Sequence, residues 1–147
     1  MPPRLIAERC GTFLRTMKTS ILIFGLTINS LLTFGQSRHL TDEQINKSGA
    51  IQLVFADNLE QAANLADQDI AKGTPFLLLQ SGISPVVYTT DKNFEDKYKV
   101  FYYESGCTGP TEKFAVEYNK TILKHLTDKY GKKWRKEIRK DVIGFRN

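Results

Sequence analysis

The sequence predicts a small α+β domain, a sandwich of three or four strands with helices packed against the sheet, preceded by a signal segment. Three observations carry this prediction. The 147 residues are 41% hydrophobic, 25% charged and 11% aromatic, the composition of one globular domain with a real core. Apolar residues alternate over 51–56 and run without interruption over 76–79, whereas 59–70 and 111–130 repeat with a helical period. Turn-forming residues (Gly73, Thr74-Pro75, Gly131) separate these stretches. With 10 Gly and 5 Pro, collagen-like and low-complexity classes are excluded. Two Cys and two His exclude a disulfide-dense scaffold and a multi-histidine or four-cysteine metal centre, so no cofactor or metal is expected.

The segment Ile21–Phe34 (ILIFGLTINSLLTF) follows Lys18 and ends in Thr33-Phe34-Gly35. A cationic start, an apolar core of 7–15 residues and a small-x-small ending describe a secretory signal peptide. The run is too short for a membrane span, which needs ~20 apolar residues, and it carries Thr27, Asn29 and Ser30. Residues 1–35 are therefore expected to be removed, with Met17 as an alternative start, leaving a single domain over 36–147 that is secreted or periplasmic. The membrane is met only through the leader. Removal takes away Arg4, Arg9, Arg15, Lys18 and Glu8, so the 21 basic and 16 acidic residues become 17 and 15. The net charge falls from +5 to +2, and a general nucleic-acid footprint disappears. Cys10 leaves as well, so Cys107 stands alone.

The elements follow in order. Leu40-Thr41-Asp42-Glu43-Gln44 begins a short capped helix that Gly49 ends. Ile51–Ala56 alternates like a strand. Asp57 and Asn58 cap a helix whose stripe is Leu59, Ala62, Ala63, Leu65, Ala66 and Ile70. Phe76–Leu79 reads as an interior strand, so Ile51–Gln80 predicts a β-α-β crossover. Val86–Thr89 reads as an edge strand, Asp91–Tyr98 as two helical turns, and Val100–Tyr103 as a further strand. The turn Ser105–Pro110 leads into the longest helix, about Thr111–Tyr130, with Phe114, Tyr118, Ile122 and Leu126 inward and Gly131 as its C-cap. A last helix, Lys132 to about Val142, would place Trp134, Ile138 and Val142 on one face.

Phe94-Glu95-Asp96-Lys97-Tyr98 differs at one position from the pentapeptide that names the FEKKY-domain family of exported bacterial proteins, and Tyr130–Gly144 resembles that family's C-terminal block. The resemblance covers about Phe94 to Phe145 and departs from the family at Asp96. It implies an exported module without an assigned chemistry, and no catalytic residue is carried over.

Three features bear on function. Cys107 lies between a strand and a helix N-terminus, a position that lowers a thiol's pKa and serves thiol enzymes. Cysteine phosphatases place an arginine six residues further on, where this chain has Lys113, and His125 or His39 is the available base. A small thiol packed beneath a tight turn is the preferred alternative. Gly106 and Gly109 flank the turn, which could cradle an anion with its backbone N–H groups but lacks the ending of a nucleotide-binding loop. Lys132, Lys133, Arg135, Lys136, Arg139 and Lys140 crowd the C-terminal segment around Trp134, a candidate contact for an envelope protein or an anionic polymer. Asp91 and Glu95 at i,i+4, and Asp67 with Asp69, read as solvated helix faces. Asn46-Lys47-Ser48 and Asn119-Lys120-Thr121 match a glycosylation sequon. The reading is an exported, non-enzymatic binding module; the alternative is a small thiol enzyme built on Cys107.

Overall fold

The computed structural model describes residues 39–80, 82 and 84–145, and the signal segment expected over 1–35 lies outside them. The order is α1 (Asp42–Asn46), α2 (Gly49–Gln52), a 3-10 turn (Leu53–Phe55), α3 (Leu59–Ala71), β1 (Phe76–Leu78), α4 (Asp91–Tyr98), β2 (Phe101–Tyr103), a 3-10 turn (Gly106–Thr108), α5 (Glu112–Tyr130) and a 3-10 turn (Lys133–Lys136). The chain is thus a mixed helix-and-strand fold in which helices dominate.

The sheet is smaller than the sequence predicts. Among the described residues it has two parallel strands, with Phe76, Leu77 and Leu78 opposite Phe101, Tyr102 and Tyr103, plus an isolated antiparallel bridge between Leu79 and Val142. The crossover runs from β1 through α4 to β2. The earlier crossover is absent because Gly49–Phe55 is helical, with Ala56 as its extended C-cap. Its buried positions are Ala50, Leu53 and Ala56, spaced by three rather than two, while Phe55 is 76% exposed. Two caps start α2: the Ser48 hydroxyl accepts the Ile51 N–H, and the Asp69 carboxylate accepts those of Gly49 (2.8 Å) and Ala50 (3.1 Å). Gly49 opens this helix instead of closing the preceding one, and it must be glycine. A Cβ there would stand 2.4 Å from the Leu65 carbonyl oxygen.

Val86–Thr89 forms no strand, because side chains take its backbone groups: Val86 O accepts from Arg139, and Tyr88 N–H donates to Asp91. The C-terminal helix also shrinks to a single turn. Gly131 (φ +69°) ends α5, and beyond Glu137 the backbone turns to other partners. Arg139 N–H donates to the Tyr102 hydroxyl, Gln80 N–H to Asp141 O, and Ile143 N–H to Leu78 O. Trp134, Ile138 and Val142 are nevertheless all buried, as their spacing requires.

The strands expected over Phe76–Leu79 and Val100–Tyr103 form as Phe76–Leu78 and Phe101–Tyr103, and Asp91–Tyr98 and the long helix with its inward Phe114, Tyr118, Ile122 and Leu126 stand where the sequence puts them. Two polar side chains close the core. Asp69, read as surface, is wholly buried and also accepts the Tyr118 hydroxyl at 2.6 Å; burial and this carboxylate push the Tyr118 pKa well up. Asn119 is wholly buried on α5. Its Oδ1 accepts the Leu78 N–H (2.9 Å), and its Nδ2 donates to Leu78 O (2.9 Å) and Ile143 O (2.8 Å). It thus serves the side of β1 away from β2 and cannot act as a sugar acceptor in the folded chain.

The two sequon asparagines should therefore behave differently. Asn119→Ala strands a buried strand's backbone groups and is expected to lower unfolding free energy by about 3 kcal/mol. Asn46→Ala, at an exposed helix end, should change it by less than about 0.5 kcal/mol in the same urea titration.

Candidate functional site

Two clefts open where the chain leaves the carboxyl ends of β1 and β2. In parallel sheets ligands bind at this edge, since the connections diverge there. The first cleft, about 250 Å³, is lined by Leu79, Cys107, Pro110, Glu112, Ala115 and Ile143. Its turn is shaped by glycines: Gly106 has φ +60°, and a Cβ on Gly109 would stand 2.3 Å from the Ser105 hydroxyl oxygen. Cys107 is exposed, which overturns the packed thiol. The structure brings Cys107, Gly106 and Gly109 to one cleft but does not bring His125 there. That residue sits thirteen positions into α5, roughly 20 Å along the axis from its first turn. Burial and Lys129 lower its imidazole pKa. Lys113 is exposed and lies over the Phe114 ring, 4.7 Å from its centre. Glu112 stands in the lining, so an anion at this helix end meets a carboxylate.

The second cleft, about 520 Å³, is lined chiefly by apolar surface from Pro85, Val86, Val87 and Tyr88, with Asp91 and Arg139 beside them. Arg139 is not a surface cation: it is 9% exposed. Its Nη1 donates to Val86 O (2.7 Å) and Asp91 Oδ2 (2.9 Å), its Nε to Asp141 Oδ1 (2.9 Å), and its Nη2 to Asp141 Oδ2. The guanidinium lies 4.8 Å from the Tyr88 ring centre and 5.5 Å from that of Tyr102. Asp91 is itself buried, and Glu95 accepts the Tyr102 N–H at 2.9 Å, so this pair is no solvated face. Burial raises the Glu95 pKa, while Arg139 lowers that of Asp141. This cluster was invisible in the sequence, since Arg139 is forty residues or more from Tyr88 and Asp91.

The third feature is the C-terminal segment. Lys132, Lys133, Arg135, Lys136 and Lys140 are exposed, while Trp134 is wholly buried and packs on Phe145, ring centres 5.8 Å apart. Arg135 lies 5.3 Å from each of those two rings. The acids adjoining the segment in sequence already have partners: Asp128 takes Lys124 (2.6 Å), Glu137 takes Lys97 (2.7 Å) and the Tyr98 hydroxyl (2.9 Å), and Asp141 takes Arg139. Among the described residues, none of the five exposed cations makes an ion pair. No described helix is long and apolar enough to cross a membrane, and no described group of three or more His, Cys, Asp or Glu could hold a metal ion.

Two outcomes follow from this geometry. The exposed Cys107 thiol should take up one equivalent of iodoacetamide in the native protein, and a requirement for denaturant would contradict its placement. For Asp141, a folded pKa below the unfolded value near 3.9 means stabilisation that is complete above that value and lost as pH falls through the folded one. Asp141→Asn should therefore cost about 1 kcal/mol at pH 7, discounted for partial exposure, and the gap in melting temperature should close as pH falls below about 4. A gap constant down to pH 2.5 would refute the pairing. No family model, curated protein or solved structure matches this chain, so the geometry itself carries the functional reading.

Proposed function

We propose that the chain is an exported, non-enzymatic binding module that docks an anionic envelope partner through Lys132, Lys133, Arg135, Lys136 and Lys140. The observation that carries this reading is that Asp128, Glu137 and Asp141, the acids adjoining the segment in sequence, are engaged by other residues, so that among the described residues the five exposed cations have no ion-pair partner. Such a patch attracts negative partners and steers their approach. The leader supports export, and the resemblance to FEKKY-domain proteins fits an exported module. The thiol-enzyme alternative retains an accessible Cys107 but has its nearest helical base, His125, far along α5.

The test uses the chain beginning at Gln36, since the described residues pack as a compact unit of their own. Mixed with washed bacterial envelope fragments at 50 mM NaCl and centrifuged, it should pellet and be released at 500 mM, because exposed charges are screened at high salt. The variant Lys132→Gln/Lys133→Gln/Lys136→Gln/Lys140→Gln should stay in the supernatant with an unchanged melting temperature. Equal pelleting of both proteins would refute the assignment.

A further inference from the structure

We infer that the partner of this patch is a flexible linear polyanion, read by its charge density, and not a bilayer or a folded protein; the inference rests on the basic segment being the docking surface. Four of the five exposed cations are lysines. An ammonium is a point charge on a mobile stem, whereas bidentate recognition of a fixed phosphate or carboxylate calls for arginine. Of the two arginines, Arg139 is spent on Asp91 and Asp141 inside the fold, and Arg135 lies against the Trp134 and Phe145 rings. Arg135, exposed but stacked on those rings, is then the single fork among the five cations, and recognition depends chiefly on summed charge.

The segment also lacks what the other partners need. A protein interface is centred on buried aromatic or aliphatic anchors, and peripheral membrane binding is secured by inserted apolar side chains beside the charges. Here Trp134 and Ile138 point into the core with 0% and 6% exposure. The large exposed apolar residues among those described are Val54, Phe55, Leu59, Val86, Val87 and Tyr88, none of them within the basic run itself; Val86 and Tyr88 meet the segment at the buried Arg139, through a backbone carbonyl and a ring face. What the segment offers outward is cationic, with Lys129 at the end of α5 adding a sixth charge. A polymer carrying a charge on every unit can meet these side chains in many registers and release its condensed counterions.

Long-chain inorganic polyphosphate is the probe, titrated into the chain beginning at Gln36 at several NaCl concentrations. Log affinity should fall linearly with log salt, with a slope near −4 for six contacts, and the quadruple Lys→Gln variant should lose about three units of that slope. Pyrophosphate, equal in charge type but short, should bind at least about 100-fold more weakly. Vesicles of 30% phosphatidylglycerol in phosphatidylcholine form the second arm. If vesicles retain the chain and polyphosphate does not, the cationic docking surface stands and the polymer class is overturned. If pyrophosphate binds as tightly as the polymer, charge density is not what is read. If the quadruple variant, with its melting temperature intact, binds every probe as the parent does, the docking surface itself fails.

Discussion

The buried guanidinium of Arg139 is the interaction on which the layout around the sheet's carboxyl edge depends. A cation 9% exposed is tolerable only when charge and hydrogen bonds are returned to it, and here Asp91, Asp141 and the Val86 carbonyl supply both. Those partners come from three separate stretches: the segment after β1, the first turn of α4, and the C-terminal segment. Tyr102 brings in β2, its ring beside the guanidinium and its hydroxyl accepting the Arg139 N–H. With two strands in the sheet among the described residues, backbone pairing alone could not fix these pieces relative to one another.

Asp69 has the matching role among the N-terminal helices. One wholly buried carboxylate caps α2 from α3 and receives the Tyr118 hydroxyl from α5, so three helices share a single acceptor. The close approach that makes this possible needs Gly49, whose missing Cβ admits the Leu65 carbonyl. Asn119 then joins α5 to β1 and to the C-terminal segment. The fold therefore has an apolar core crossed by three polar staples, in which hydrogen bonds offset the desolvation of all but Asp91 Oδ1, a buried oxygen without a hydrogen-bond partner.

Elements whose structure rests on local pattern were legible in the sequence, and those set by these staples were not. The period of α5, the Asp91–Tyr98 turns and the uninterrupted Phe76–Leu79 run are properties of neighbouring residues. Ile51–Ala56 fits both a period of two and a period of three, and its caps are decided by Asp69, some twenty positions away. Residues Val86–Thr89 have strand-like composition, yet Arg139 and Asp91 bind their backbone. At the candidate site the five exposed cations were legible as a charge run, because exposure follows from the burial of Trp134 and Ile138. The fate of the sixth, Arg139, was not. A lone arginine in a basic stretch carries no mark that distant carboxylates are waiting for it.

Removing Arg139 from the surface also clarifies what the remaining patch can recognise. The segment that carries it has little regular secondary structure, one 3-10 turn, but it is anchored by Trp134, Ile138, Arg139 and Val142 from within and by Glu137 to Lys97 and Tyr98 from the side. The backbone is held while the lysine stems between the anchors keep their rotamer freedom. Binding that immobilised each stem in one geometry would lose roughly 0.5–1.5 kcal/mol per side chain, against a screened surface contact worth no more. Binding that leaves the stems mobile and exchanges counterions avoids this loss. A fixed backbone with mobile charges thus favours a partner that is itself a repeating charge without a fixed shape.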